Sequence, residues 1–198
     1  MRNEMTWDGH SSHLGPQTRL NGTGLAWRHE GREGHVAGVQ LRGVSRTVLG
    51  YGSQWGQVSP YIGFRAASFG TELGLAGSTD GERGDYGPWM RLQLGPEQRH
   101  FELRLLSDDP LLYENLLGAG LVLRAARLAE VSGGFNLHMV TVFDGEVFTA
   151  DAPSPSVGGW FSLKVQPGWL GGALSTLMGD GVWVIRLGIT MAFESTES

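Results

Sequence analysis

The stretch VWVIRLGITMAF, residues 182 to 193, constrains the fold of this chain more than any other feature. Side chains of a β-strand alternate between its two faces, so this stretch divides into an apolar set and a small or polar set. The apolar set is Trp183, Ile185, Leu187, Ile189, Met191 and Phe193. Arg186 belongs to the opposite set, among valine, glycine, threonine and alanine. A strand with one wholly apolar face must cover that face, either with a protein core or with lipid.

The distance between the two aromatic ends of this stretch separates these possibilities. Trp183 and Phe193 are ten residues apart, which is about 33 Å along a strand and roughly 23 Å across a sheet tilted near 45°. Membrane-spanning barrels carry an apolar band of about 25 Å, whereas strands of soluble proteins usually have about 5 or 6 residues. The length therefore favours a strand that crosses a membrane.

The composition also favours β-structure. The 198 residues include 32 glycines, which is about twice the usual frequency, and each glycine inside a helix costs about 1 kcal/mol relative to alanine. The formal net charge of -5 argues against a nucleic-acid-binding protein, which needs a basic face. The chain has no cysteine, which excludes disulfides, zinc-thiolate sites and thiol catalysis.

Alternating segments separated by turn residues recur along the chain, at the spacing typical of β-barrels and sandwiches. The clearest hairpin is WMRLQLGPEQRHFELRLL, in which GPEQ is expected to form a four-residue loop. That loop pairs Leu94 with Arg99 and places Arg91 opposite Glu102 on the polar surface of the hairpin. A cross-strand ion pair of this kind stabilises a ladder by a few tenths to about 1 kcal/mol.

The alternation divides the predicted strands into a polar face and an apolar face. In a membrane barrel the polar face lines the lumen and the apolar face meets lipid. The predicted lumen-facing polar residues are Gln40, Arg42, Arg91, Gln93, Glu102, Arg104, Arg124, His138, Lys164 and Arg186. The predicted lipid-facing residues are Leu92, Leu103, Leu163, Trp183, Ile185, Leu187, Ile189 and Phe193.

Four segments are not assigned as regular strands. Residues 1–22 are polar and are predicted to be a flexible N-terminal segment, residues 23–193 the barrel, and residues 194–198 a C-terminal tail. Residues 112–130 fit either a strand or a helix. Residues 168–178 are predicted to form a short amphipathic helix, because their apolar residues recur at helical spacing. Its interfacial face is Trp169, Leu170, Leu174 and Leu177, which would anchor at a membrane interface or a protein partner, or cap the barrel end.

The segment RLGITMAF resembles the closing strand of small bacterial outer-membrane β-barrels, which alternates apolar residues and ends in an aromatic residue, here Phe193. This resemblance implies an even number of strands, termini on the periplasmic side and a location in the Gram-negative outer membrane. The sequence departs from the family pattern in the residues ESTES after the aromatic, and in an opening without the apolar stretch of a signal peptide. Either an export signal has been removed, or the protein is a soluble cytoplasmic one.

Candidate chemistry in the sequence is sparse. A flexible tail explains His10 and His13 better than a metal site, and a loop explains Asp108 and Asp109 better than paired catalytic carboxylates. His138 has no neighbouring Ser, Asp or Glu motif that would make it a catalytic base. We therefore expect neither an enzyme nor a bound cofactor or metal.

The sequence as a whole predicts an all-β, antiparallel, up-and-down transmembrane β-barrel of 8–10 strands with one short amphipathic helix. A barrel of that size has a lumen largely filled by polar side chains, which indicates a structural, adhesive or partner-binding role in contact with outer-membrane lipid. The alternatives are a soluble β-barrel or sandwich that binds an apolar ligand, and a subunit of a larger membrane assembly.

Overall fold

The computed structural model of the protein describes residues 1–14, 18–48, 50–82, 84–105, 114–125, 128–140, 154–179 and 182–194. Within these ranges the chain forms twelve strands that pair antiparallel in sequence order, and β1 pairs with β12 to close the barrel. The strands are β1 (Arg2–Leu14), β2 (Thr18–Glu30), β3 (His35–Val48), β4 (Tyr51–Arg65), β5 (Phe69–Thr79), β6 (Gly84–Leu94), β7 (Arg99–Leu105), β8 (Glu114–Ala125), β9 (Ala129–Val140), β10 (Ser154–Val165), β11 (Leu170–Gly179) and β12 (Val182–Glu194). The all-β antiparallel barrel is confirmed, but the predicted strand number of eight to ten is wrong.

The first strand occupies the segment that the sequence predicts to be flexible. β1 pairs with β12 along its whole length, from Arg2↔Glu194 to Leu14↔Val182, and with β2 on its other side. Hydropathy does not reveal β1, because its outer face carries Asn3 and Ser11 among its apolar residues and so alternates weakly. The barrel therefore begins at residue 2 rather than 23 and ends at residue 194, while residues 195–198 lie outside the described part of the chain.

The predicted amphipathic helix at 168–178 is wrong, because this segment forms β11. Its backbone groups pair with β10 on one side and β12 on the other. Leu177 is buried on the inner face, at 4 % exposure, whereas the next residue, Met178, is 61 % exposed on the outer face. Leu170 and Leu174 lie on the outer face, and Trp169 lies in the preceding turn. Gly171 and Gly172 disfavour a helix, and two full ladders outweigh the helical spacing of the apolar residues.

The segment 112–130, which the sequence left open between strand and helix, contains all of β8 and the start of β9. Leu117, Leu121 and Leu123 lie exposed on its outer face, and Val122 is buried on the inner face. Residues 112–113 and 126–127 lie outside the described part of the chain. None of the described residues belongs to a helix that is long and apolar enough to cross a membrane.

The apolar face of β12 points away from the lumen. Leu187 is 63 % exposed at the middle of the strand, and Trp183 and Phe193 are exposed near its ends, while Val184 and Thr190 are buried inside. The remaining predicted lipid-facing residues lie on the same outer surface: Leu92, Leu103, Leu163, Ile185 and Ile189. A soluble barrel that encloses an apolar ligand would need the opposite arrangement, so that alternative is wrong.

Aromatic residues lie near both ends of the outer surface, as in the two aromatic girdles of membrane barrels. The end that holds the chain termini carries Trp27, Phe64, Phe69, Phe101, Trp169 and Phe193, and the other end carries Tyr86 and Trp183. Connections at the terminal end have three or four residues, whereas the opposite end includes connections 106–113 and 141–153. Short turns are periplasmic and long loops extracellular in such barrels, and this distribution of connection lengths is the one expected if the termini are on the periplasmic side.

The β6–β7 hairpin has a register two residues away from the predicted one. Leu94 pairs with Phe101 rather than with Arg99, and Arg91 pairs with Arg104 rather than with Glu102. The Arg99 amide donates to the Pro96 carbonyl at 3.0 Å, so Arg99 closes the turn instead of beginning the ladder. A shift of two residues keeps every side chain on the same face, which is why the predicted faces are right although the predicted partners are not.

A single-cysteine scan across residues 170–179 tests the strand assignment of β11. Because the chain has no cysteine of its own, each variant reports one site. We expect the accessibility of a spin label at each cysteine to a lipid-soluble quencher to alternate with period two, high at 174 and 178 on the outer face and low at 177 on the inner face. Accessibility that repeats about every 3.6 residues would contradict the strand and indicate the predicted helix.

Leu187→Arg tests the outward face of β12. An arginine near the bilayer midplane should lower the free energy of unfolding by roughly 2 to 4 kcal/mol, measured by urea titration of the barrel folded in lipid vesicles. Leu187→Ala is the matched control, since it removes the same side chain without adding charge. Equal effects of the two substitutions would contradict lipid contact at this position, as would protection of spin labels at 185, 187 and 189 from a lipid-soluble quencher.

Candidate functional site in the barrel lumen

Charged side chains are concentrated on the inner face of the barrel. Among the described side chains, ten cations and six acids occupy inward positions. The cations are Arg2, Arg28, Arg42, Arg46, Arg65, Arg91, Arg104, Arg124, Lys164 and Arg186. The acids are Glu4, Asp8, Glu30, Glu72, Glu102 and Glu130. Glu97, in the turn between β6 and β7, adds a seventh acid at the mouth. The described side chains of the lumen are therefore positive on balance by three charges, although the whole chain has a formal net charge of -5.

The structure places the predicted lumen residues on this inner face with one exception. Gln93 and Glu102 are buried there, and Gln40, Arg42, Arg91, Arg104, Arg124, Lys164 and Arg186 occupy half-buried inward positions. His138 belongs to β9, but its side chain lies outside the described part of the structure. Sequence analysis missed inward charges such as Arg28, Glu72 and Arg65. Once the apolar face of each strand is identified, the alternation of side chains along the strand assigns these residues to the opposite, inner face.

A chain of ion pairs, which we call the central belt, links β2 to β7 inside the barrel. Arg28 Nη1 lies 2.5 Å from Glu72 Oε1, and Arg91 Nη1 lies 3.0 Å from Glu72 Oε2. Glu102 then joins Arg91, at 3.9 Å from Nε, to Arg104, at 2.6 Å from Nε. The predicted Arg91 and Glu102 contact thus exists as a diagonal contact within a larger network. Each carboxylate of the belt has two guanidinium partners, which compensates its removal from water.

Glycines opposite large aromatic rings make room for the belt along the wall. A Cβ atom on Gly38 would lie 2.3 Å from Tyr61 Cζ, and one on Gly74 would lie 2.3 Å from Trp89 Cε2. The Tyr61 and Trp89 rings therefore lie flat over neighbouring strands, with their centroids 5.4 Å apart. Trp89 Nε1 donates to Ser59 Oγ at 2.9 Å. These flat rings fill the wall between β3 and β6 and let Arg28 on β2 reach Glu72 on β5.

A second set of ion pairs, the mouth network, lies at the end of the lumen that holds the chain termini. Arg65 lies 4.0 Å from Glu30 and 3.8 Å from Glu97, measured from Nη1. Arg124 lies 3.2 Å from Glu97 and 2.5 Å from Glu130. Lys164 of β10 pairs with Glu4 of β1, across β11 and β12.

Two cavities remain between these side chains. The mouth cavity, of about 270 Å³, is lined by residues of the mouth network together with Arg91 and Arg104 of the central belt. The central cavity, of about 210 Å³, lies on the other side of the same two arginines and is lined by Asn136, Trp160 and Arg186 among others. Arg91 and Arg104 therefore line both cavities.

Comparison with known proteins identifies the fold. No family model and no curated protein matches the chain. Among solved structures, it is similar to a KdgM porin in complex with disordered oligogalacturonate, with a TM-score of 0.63 and 11 % identity over 96 % of this chain and 99 % of that one. The NanC porin gives a TM-score of 0.62 and 10 % identity over 94 % and 98 %. The translocator domain of the autotransporter NalP from Neisseria meningitidis gives 0.58 and 10 % over 98 % and 88 %.

These likenesses show that the chain has the fold of bacterial outer-membrane β-barrels. Its closed ladder leaves no unpaired edge strand, its outer surface is apolar between aromatic ends, and its charges face inward. A bilayer requires all three properties. The protein is a transmembrane barrel of the Gram-negative outer membrane.

Glu102→Gln tests the central belt. Removal of this nearly buried carboxylate charge leaves Arg91 and Arg104 less compensated, so the free energy of unfolding should fall by about 3 kcal/mol. Glu30→Gln is the matched control, since its partner Arg65 is 4.0 Å away at the half-exposed mouth, and its effect should stay below about 1 kcal/mol. Urea unfolding in vesicles measures both.

A double-mutant cycle then separates the pair from its surroundings. Arg104→Gln combined with Glu102→Gln should cost clearly less than the sum of the two single changes, because the contact at 2.6 Å is lost only once. Additive effects would mean that the ion pair does not contribute to stability.

Proposed function

We propose that this protein is a narrow outer-membrane channel that favours small anionic solutes. The observation that carries the proposal is the excess of inward cations over inward acids among the side chains that the structure describes, in a chain that is negative overall. Rings of arginine and lysine select anions in pores, and charge of one sign inside low-dielectric walls raises the local concentration of the opposite ion.

The strand number supports a narrow rather than a wide pore. Eight strands leave an interior that side chains fill, whereas barrels of about 16 to 18 strands enclose an open aqueous channel. A barrel of twelve lies between these cases. Long arginine side chains and three aromatic rings, Tyr61, Trp89 and Trp160, occupy much of this interior, so we propose selective passage of small solutes rather than general diffusion.

The comparisons support the proposal only through the fold. Two of the similar structures are porins, and one of them was solved in complex with oligogalacturonate. At 10 to 11 % identity the likeness does not carry their solutes over to this chain. Selectivity for anions is therefore argued from the lumen charges of this chain alone, and the proposal includes no catalytic step.

The second candidate is a barrel with a closed lumen and a structural, adhesive or partner-binding role. The central belt favours it, because ion pairs that join β2 to β7 restrict the free cross-section. The two candidates differ in conductance. A closed barrel gives no steady current, whereas a narrow channel gives small, regular steps.

Planar-bilayer recording tests the proposal directly. In a tenfold gradient of potassium chloride, the purified barrel should give discrete steps with a reversal potential of the sign expected for chloride permeation. Cation selectivity would exclude an anion channel, and the absence of steps from correctly folded protein would favour the closed barrel.

Arg42→Gln tests the source of the selectivity. The substitution removes one of the three excess positive charges among the described lumen side chains, so the reversal potential should shift measurably towards zero. Arg19→Gln is the matched control, because Arg19 lies exposed on the outer face of β2 and loses the same charge outside the lumen. Equal shifts in both variants would show that selectivity depends on the net charge of the protein rather than on its lumen.

A further inference from the structure

The two cavities of the lumen differ in the charges of their walls. The wall of the mouth cavity includes five glutamates beside its cations. Among the described residues, the wall of the central cavity includes three arginines, Arg91, Arg104 and Arg186, and no carboxylate. Its other polar side chains are neutral, among them Ser162 and Ser175. An ion in the central cavity therefore faces guanidinium groups without facing a carboxylate.

The three arginines reach this cavity from two sides. Arg91 of β6 and Arg104 of β7 lie close together, because both contact Glu102, at 3.9 Å from Arg91 Nε and 2.6 Å from Arg104 Nε. Arg186 belongs to β12, which is five strands away from β7 around the closed barrel of twelve. It therefore enters the cavity from the nearly opposite wall. A solute held between these walls has positive charge on both sides of it.

Arg104 is held in a fixed orientation. A Cβ atom on Gly120 would lie 2.5 Å from Trp160 Cζ2, so the Trp160 ring lies flat against the wall at β8. Arg104 Cζ lies 4.1 Å from the centroid of this ring, and Arg104 Nε donates to Glu102 Oε1 at 2.6 Å. Stacking and hydrogen bonding together fix the plane of the guanidinium. Neither contact uses the terminal Nη groups, and the side chain is 32 % exposed, so a dissolved ion can reach it.

The pairing within the central belt leaves positive charge beside this cavity. The belt contains three guanidinium groups and two carboxylates, so its ion pairs leave one positive charge unbalanced. Arg186 adds another cation on the facing wall. Charge of one sign between low-dielectric walls raises the local concentration of the opposite ion. The central cavity is therefore expected to hold an anion rather than water alone.

The fork of a guanidinium group distinguishes between anions. It donates two parallel hydrogen bonds to a group with neighbouring oxygen atoms, as in a carboxylate, sulfate or phosphate. Chloride has no such oxygens. A carboxylate has two oxygens and one charge, which one guanidinium satisfies. A tetrahedral oxyanion with two charges has four oxygens, so it can accept from one guanidinium and still present oxygen atoms and charge to the opposite wall.

We propose that the central cavity is a binding site for one divalent tetrahedral oxyanion, the class that includes sulfate and phosphate. This inference rests on the proposed anion channel and names the class of solute that the channel favours. Two oxygens of the ion accept from the Nη groups of Arg104, and Arg91 and Arg186 balance its charge from both walls. The volume of about 210 Å³ corresponds to about seven waters of liquid, which leaves room for the ion and part of its hydration shell.

Calorimetric titration of the folded barrel in a non-ionic detergent tests the site with three probes at equal ionic strength, which keeps electrostatic screening constant. Sulfate is divalent and tetrahedral, acetate carries a single carboxylate, and chloride carries one charge without oxygen atoms. We expect measurable binding of sulfate and at least about tenfold weaker binding of the other two. Acetate or chloride binding as tightly as sulfate would overturn the proposed ligand class.

Two substitutions locate the bound sulfate. Arg104→Lys keeps the charge but removes the fork, and Arg186→Gln removes the charge on the facing wall. Each should weaken sulfate binding about tenfold, since a charge-assisted hydrogen bond or a compensating charge is lost. Arg2→Gln is the matched control, because Arg2 is a lumen cation that lines the mouth cavity and not the central one. It should change sulfate binding less than about twofold, and an equal loss in this control would overturn the site.

The titration and the bilayer recordings give separate answers. Heat-modifiable migration on a gel verifies that each variant is folded, and either variant alone is decisive if the other fails to fold. Sulfate binding that is absent, or that a folded Arg104→Lys or Arg186→Gln variant leaves unchanged, overturns the site even if the barrel conducts anions. Binding that these substitutions weaken supports the site even if the bilayer recordings show no steps, in which case only the channel proposal fails.

Discussion

Closure of the backbone ladder between β1 and β12 is the constraint on which the rest of this structure depends. Inside a bilayer no water is present to pair with the amide and carbonyl groups of an edge strand, and each group without a partner costs several kcal/mol. The thirteen residue pairs from Arg2↔Glu194 to Leu14↔Val182 remove both edges at once. Once the sheet is closed, every strand has one face toward lipid and one toward the lumen. Whether a position carries an apolar or a polar side chain then follows from the face on which it lies.

Charged side chains, which a surface in contact with lipid cannot carry, must lie in the lumen. Charges on the inner face are brought close together, and they are stable there because they compensate one another in the central belt and the mouth network. Glycines on the same face take no space, and the rings of Tyr61, Trp89 and Trp160 lie over them. High glycine content, inward arginine and flat aromatic rings are thus parts of one packing solution. The same solution leaves the cavities on either side of Arg91 and Arg104.

Much of this arrangement could be predicted from the sequence, because neighbouring residues of a strand face opposite sides whatever the rest of the fold is. Leu187 and Arg186 are adjacent and face opposite sides whatever the register of their strand. The strand number could not be predicted, because β1 has polar residues on both faces and β11 carries apolar residues that also fit a helix. Pairs such as Arg28 with Glu72, 44 residues apart, depend on the shape of the closed wall. No local pattern reveals which side chains will meet across intervening glycines.

Lys164 gives the barrel an unusual chemical property. It is the only lysine of the chain, and its ammonium group is joined to Glu4 across the two strands that separate β10 from β1. This contact can form only after the first and last strands have met, so the amine is engaged in the finished barrel and accessible to solvent in the unclosed chain. Ring closure therefore moves the only lysine side chain of the protein from free solution into an ion pair, so the rate at which this one side chain is acylated distinguishes open chains from closed barrels.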